Sequence, residues 1–355
     1  MVVRRDCRSF LGDRPCRPHK EEGVHCEDCP HYDPVEERFL IIKLGAAGDV
    51  IRTTPLLRVI KAHHPRAHIT WLTRSPEVLP SKWIDRILPF TLEAITWVTS
   101  ASFSHLLSLD KDPEVVAIAS KVQAAHRMGF VQGPEGLCAP VDALAQDKFL
   151  TGLFDDVSKA NRKSYPQEMV EMCGYPYQRE RYVMELPEPE PEWKLPTARP
   201  LVGLATGCGV RWPHRNWPDE HWTELATRLV SEGFGVVLLG GPAEEEKNQD
   251  IARASGAFYA GHFPLPIFFS LVNQLDLVVT AVSLALHVAL GLGKRVVLFN
   301  NIFSPHEFEL YDQGVILAPD YNCTCYFDPV CPIGGCMKYL HPERVLNTIK
   351  KELSL

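Results

Sequence analysis

Short apolar runs alternate along this chain with stretches of helical spacing, and loops bearing glycine or proline separate them. Residues 39–44 read as a strand buried on both faces, 45–49 as a tight loop, and 50–63 as a helix ended by His64 and Pro65. Residues 68–73 form a second strand, with fainter strand signals at 94–98, 105–109 and 127–131. Strands that alternate with helices build a parallel sheet covered on both faces. Residues 1–37 carry neither period. Rich in Cys, Pro and charge, they read as a small loop-built module that cannot bury a core unaided.

The stretch 186–193 alternates Pro and Glu, a stiff, extended composition suited to a domain boundary. The βα rhythm then restarts. Strands are expected at 201–205, 236–239, 277–280, 296–299 and 315–317, and helices at 219–232, 244–254 and 341–353. The pattern predicts an α/β chain of three parts: a Cys-rich module (1–37), a Rossmann-like domain (38–185) and a second one (186–355) with a Cys-rich loop at 321–337. Two such domains facing a central cleft also describe periplasmic binding proteins and several isomerases, and fold alone does not choose among them. Ligands in these folds sit at the C-terminal ends of the strands.

Composition narrows the function classes. With 37 Lys and Arg against 44 Asp and Glu, the net charge is −7, so a broad nucleic-acid-binding field is not expected. Residues 1–10 include Arg4, Arg5, Asp6 and Arg8 with no apolar stretch behind them, so a secretory signal is not expected. Two runs lack Asp, Glu, Lys and Arg. Residues 254–275 are broken by Gly, His and Pro, and 277–293 read as a buried strand feeding a buried helix rather than a membrane span. A cytoplasmic location is expected, either free or peripheral on the inner face of the inner membrane.

The first βα turn places Lys43, Gly45, Gly48 and Asp49 at the C-terminal end of a strand. Asp49 can cap the following helix, and a carboxylate facing the cleft there can also take a proton from a hydroxyl. The glycine spacing is not the dinucleotide fingerprint. In the second half, Gly207, Gly209, Arg211 and Arg215 make a glycine-bearing loop with two guanidinium groups, suited to a diphosphate or simply a solvated basic loop. Glu245 and Glu246 stand at a helix start, either as ligands or as complements to the helix dipole.

The run 40–58, from Leu40 through Gly45, Gly48, Asp49 and Pro55 to Arg58, resembles the opening of glycosyltransferase family 9, the ADP-heptose-dependent heptosyltransferases. Residues 207–218, ending in Arg215-Asn-Trp-Pro218, resemble the family's segment with a basic residue on the donor diphosphate. The resemblance spans about residues 39–355. Lys43, in the same turn as Asp49, is read as positioning the phosphate or tuning that carboxylate. The resemblance implies a GT-B fold, inverting and metal-independent sugar transfer, Asp49 as base, and Arg215 at the diphosphate. It also implies a nucleoside-binding glutamate at Glu245 or Glu246. Where the family carries Asp-Thr-Gly-x-x-His, this chain has Val282, Ser283, Leu284 and His287. The His is retained and the carboxylate is not.

Eleven cysteines without an export signal are not expected to pair as disulfides. Cys7, Cys16, Cys26 and Cys29 form one group and Cys323, Cys325, Cys331 and Cys336 another. Four thiolates favour zinc or iron, with His19, His25 and His31 as spare ligands in the first group. Among the families the resemblance brings in, autotransporter heptosyltransferases carry cysteine-bound iron in a late loop. The metal is expected to be structural, and no catalytic cofactor is expected.

The expected function is transfer of a heptose-like sugar from an ADP-sugar to a hydroxyl of a cell-envelope glycan, such as a lipopolysaccharide core, or of a protein. Alternatives are a non-catalytic, metal-stabilised sugar-nucleotide binding or scaffold protein, motivated by Val282, and a nucleotide-sugar epimerase with Glu168 as a second acid–base group.

Overall fold

The computed structural model describes residues 1–355 apart from 210, 322–324, 329, 330, 332 and 355. The chain divides into two compact units. The first comprises Met1–Ala46, Thr54–Phe149 and Met169–Glu180, and the second Ala47–Thr53, Leu150–Glu168 and Arg181–Leu355.

The first unit is built on a six-stranded sheet of β1 (Glu37–Ile42), β2 (Ala67–Thr73), β3 (Arg86–Pro89), β4 (Ser102–Ser108), β5 (Gln123–Gln132) and β6 (Cys138–Pro140), in the order β3-β2-β1-β4-β5-β6. The first five strands run parallel, while β6 pairs antiparallel with β5 at the edge, where Pro140 is tolerated. Phe39, Leu40, Ile41 and Ile42 are fully buried, as a strand covered on both faces requires. Strand order reverses between β1 and β4, the place where open α/β sheets gather functional groups.

Two expectations are corrected in the first half of the chain. Residues 94–98 lie in the helix Leu92–Ser100 rather than in a strand. Thr91 caps it by accepting from the Ala94 N–H, Thr96 and Thr99 donate back to the carbonyls of Leu92 and Ile95, and the buried face is Ala94 and Val98. Packing of that face outweighs the β-branched composition. The helix expected at 50–63 is two helices, Ala47–Ile51 and Pro55–His63. Pro55 lacks the N–H that would continue the first helix and suits the first turn of the second.

The second unit holds a five-stranded, fully parallel sheet of β7 (Leu201–Ala205), β8 (Gly235–Leu239), β9 (Leu277–Ala281), β10 (Arg295–Phe299) and β11 (Gly314–Leu317), in the order β11-β10-β9-β7-β8. Its core packs Trp217, Trp222 and Phe299 against one another beside the helices Asp219–Ser231 and Pro342–Glu352. The order reverses between β7 and β9. Residues 265–273, inside the uncharged run, form a helix that the pattern did not single out. Among the described residues no helix is long and apolar enough to cross a membrane.

Candidate functional site

The reversal between β7 and β9 opens a pocket of about 410 Å³ in the second unit. Three segments that leave the C-terminal ends of β7, β8 and β9 line it: Gly207–Gly209 in the 207–209 loop, the 239–244 turn, and Ser283 to Ala285. Phe263, Leu265 and Phe268 add an apolar wall. Ser283 and the first residues of the helix Leu284–Gly291 bring the N–H groups of a helix start to this surface, which favours anions. Ser283 Oγ lies 2.8 Å from Thr280 Oγ1, so the hydroxyl braces the loop and does not cap the helix.

Gly207 approaches so closely that a β-carbon would stand 2.1 Å from Glu244 Oε1. Glu244 Oε2 in turn accepts from the Gly241 N–H at 2.8 Å. Glu244 is thus the pocket's glutamate. Glu245 turns instead to Tyr259 Oη and His262 Nδ1, at 2.7 and 2.9 Å, and Glu246 is exposed. The His262 and Tyr259 hydrogen bonds hold the Glu245 carboxyl below its ordinary range. The sequence places three consecutive glutamates here, and only the helix phase separates them.

Arg215 is buried and serves the pocket from behind. Its guanidinium donates to the carbonyls of Cys208 and Val282, the first at 2.6 Å, and so ties the loop after β7 to the loop after β9. Burial lowers its pKa. Because the bond from Arg215 goes to the Val282 backbone carbonyl, loss of a carboxylate at position 282 leaves this tie in place. Arg211 is exposed, its guanidinium over the Trp212 ring. Lys247, which the pattern did not flag, donates to the Thr206 carbonyl at 2.9 Å.

Asp49 belongs to the same unit. The helix Ala47–Ile51 packs on Leu284–Gly291, and a β-carbon on Gly48 would stand 2.9 Å from His287 Cδ2. The Asp49 carboxylate is 43% exposed and lies 3.6 Å from Arg52 Nη1. Arg52 is itself buried, pairs with Glu307 at 3.0 Å and lies 3.8 Å over the Tyr165 ring. His287 is buried, and its pKa is pushed down to about 3 by desolvation and by the Arg52 charge, partly offset by Asp49. It is therefore a neutral imidazole. One helix thus presents its first turn to the pocket and its flank to the segment carrying Asp49.

Lys43 sits in the first unit, buried and paired with Asp110. Asp110 also accepts from the N–H groups of Leu44, at 2.6 Å, and Gly45, at 3.0 Å, which fixes the loop after β1. A carboxylate ending β4 was the available signal for Asp110. Glu168, the epimerase candidate, is buried and accepts from Asn161 at 3.0 Å.

Of the cysteines, Cys323 lies outside the described residues. Cys336 is buried and accepts from Asn301, and Cys331 accepts from the Gly335 N–H at 3.2 Å. His19 and His31 are engaged by the Val24 carbonyl and Glu22. Among the described residues no three His, Cys, Asp or Glu side chains gather as one metal ion would require.

The chain is 23% identical over 313 residues to lipopolysaccharide heptosyltransferase 2 of Escherichia coli K12, covering 76% of this chain and 84% of that protein. The crystal structure of a glycosyltransferase of family 9 from Veillonella parvula matches with a TM-score of 0.69 at 18% identity, over 90% of this chain and 98% of that one. The structure of E. coli ADP-heptose LPS heptosyltransferase II matches with a TM-score of 0.66 at 19% identity, over 89% and 98%. These structures share the fold, two α/β units of the GT-B kind. The model of glycosyltransferase family 9 (heptosyltransferase) matches residues 156–334, half of the chain, and the protein therefore belongs to that glycosyltransferase family.

Proposed function

We propose that this protein transfers heptose from ADP-heptose to a hydroxyl of the lipopolysaccharide core, with inversion at the anomeric carbon. The observation that carries the reading is the helix Leu284–Gly291, whose start faces the pocket while its His287 flank packs on Gly48, beside Asp49. Relatives whose names specify lipopolysaccharide heptosyltransferases support the choice of sugar and acceptor.

The ADP moiety would occupy the pocket, its adenine against Phe263 and Phe268 and its ribose near Glu244. As the acceptor oxygen attacks the anomeric carbon, its proton passes to the Asp49 carboxylate. The bond from that carbon to the diphosphate oxygen breaks, and ADP leaves. Charge developing on the diphosphate is met by N–H groups at the helix start and in the 207–209 loop, which are already in place before reaction. Arg215 holds the two loops in register. Neutral His287 and buried Arg52 position the Asp49 segment.

The test measures ADP release from ADP-heptose with a lipopolysaccharide core acceptor lacking heptose. Acceptor-stimulated release that falls at least about a hundredfold in Asp49→Asn supports the reading. Release from wild type that the acceptor does not stimulate, or full activity in Asp49→Asn, overturns it.

A further inference from the structure

Not one of residues 1–38 is buried, although the backbone of this segment is closely tied. Cys7 bridges Pro34, with the Arg8 N–H donating to the Asp33 carbonyl at 2.8 Å and the Val35 N–H to the Asp6 carbonyl at 2.7 Å. Arg8 anchors the module to the first unit through Asp85 and the Ala67 carbonyl. A segment of this length without a core needs a staple, and disulfides do not supply it, because Cys7, Cys16, Cys26 and Cys29 are all free thiols. These four line one cavity of about 290 Å³, together with apolar groups such as Val3 and Phe10, which are themselves exposed.

Four thiols that line one cavity without converging on a single point select the occupant. A zinc ion holds four sulfurs at about 2.3 Å from a single point, and no three thiols here are gathered in that way. A cubane cluster makes the opposite demand. Each of its irons takes one thiolate, so the four sulfurs stand apart around a central volume that the inorganic core fills. Of the three histidines that line the cavity, His19 and His31 already have hydrogen-bond partners and His25 packs edge-on against the His19 ring at 5.4 Å, so the four thiols are the set taken as ligands. We infer that residues 1–37 bind a four-iron, four-sulfur cluster through Cys7, Cys16, Cys26 and Cys29, and that this cluster is the core of the module.

The full-length chain is purified anaerobically and reconstituted with ferrous iron and sulfide, then assayed for iron, acid-labile sulfide and zinc. Expected are about four irons and about four sulfides per chain, visible charge-transfer absorption, and protection of the arginines in residues 1–37 from trypsin on loading. Cys26→Ser/Cys29→Ser loses the cluster, whereas Cys325→Ser/Cys331→Ser retains it. Far-UV circular dichroism and ADP binding report whether each variant is folded, and the trypsin comparison on wild type needs no variant. Stoichiometric zinc with no iron–sulfide uptake overturns the inference. So does a cluster that survives in the Cys26→Ser/Cys29→Ser chain, or loading that leaves the tryptic pattern unchanged.

Discussion

Gly48→Ala sets two magnitudes of opposite sign against each other. Inside a helix such as Ala47–Ile51, alanine is ordinarily favoured over glycine by about 1 kcal/mol. At this position, however, the new methyl would stand 2.9 Å from His287 Cδ2, 3.6 Å from His287 Nε2 and 3.7 Å from Leu284 Cα. Carbon atoms settle at about 3.5–4.0 Å, so the ring or the helix must retreat by roughly 0.6 Å. Overpacking of this kind costs about 1–3 kcal/mol. The expected net is a loss of about 1 kcal/mol, or about 2–4 °C in the melting of a unit of this size. Because the retreating helix begins at the pocket, kcat should fall about tenfold, given that about 1 Å of misplacement costs about a hundredfold. Thermal melting and steady-state kinetics with ADP-heptose measure both. His287→Ser in the same chain should relieve the clash and recover stability, a favourable coupling in the double-mutant cycle. A Gly48→Ala protein stabilised by the full helical gain, with wild-type kcat, would refute the reasoning.

Three further outcomes are expected. Asp110→Ala strands Lys43 without its buried partner and frees the N–H groups of Leu44 and Gly45, which should cost about 3–5 kcal/mol; an unchanged thermal melt would contradict it. His287 has a folded pKa of about 3 against 6.5 unfolded, so between those values the unfolded chain binds the extra proton. Its contribution is intact above pH 6.5 and is lost as pH falls toward 3, with a slope of at most about 1.4 kcal/mol per pH unit. His287→Gln should flatten the melting-versus-pH curve in that window, and an unaltered curve would count against a neutral buried imidazole. Arg215→Lys keeps the charge but cannot fork to the carbonyls of both Cys208 and Val282, so kcat/KM for ADP-heptose should drop at least about tenfold; unchanged kinetics would remove the tie between the loops from the account.

Apolar runs and glycine loops were enough to read two βα sheets, because a parallel strand buried on both faces must be continuously apolar. They also exposed the turn with Asp49 and the loop with Arg215. They misread residues 94–98, where a threonine cap and a small buried face outweigh β-branched composition. Only tertiary structure separated Glu244 from Glu245 and Glu246, since neighbouring positions on a helix differ in phase and not in chemistry. Similarly, nothing local marks Asp110 as the partner of Lys43 across β1 and β4, or Gly48 as the seat of His287. The Ala47–Thr53 segment departs further from sequence order: it follows β1 in the chain yet belongs to the second unit with His287 and Glu307. Residue types and their spacing declare what chemistry a chain can hold. Which groups meet depends on strand order and helix phase, and contacts between residues hundreds of positions apart decide those.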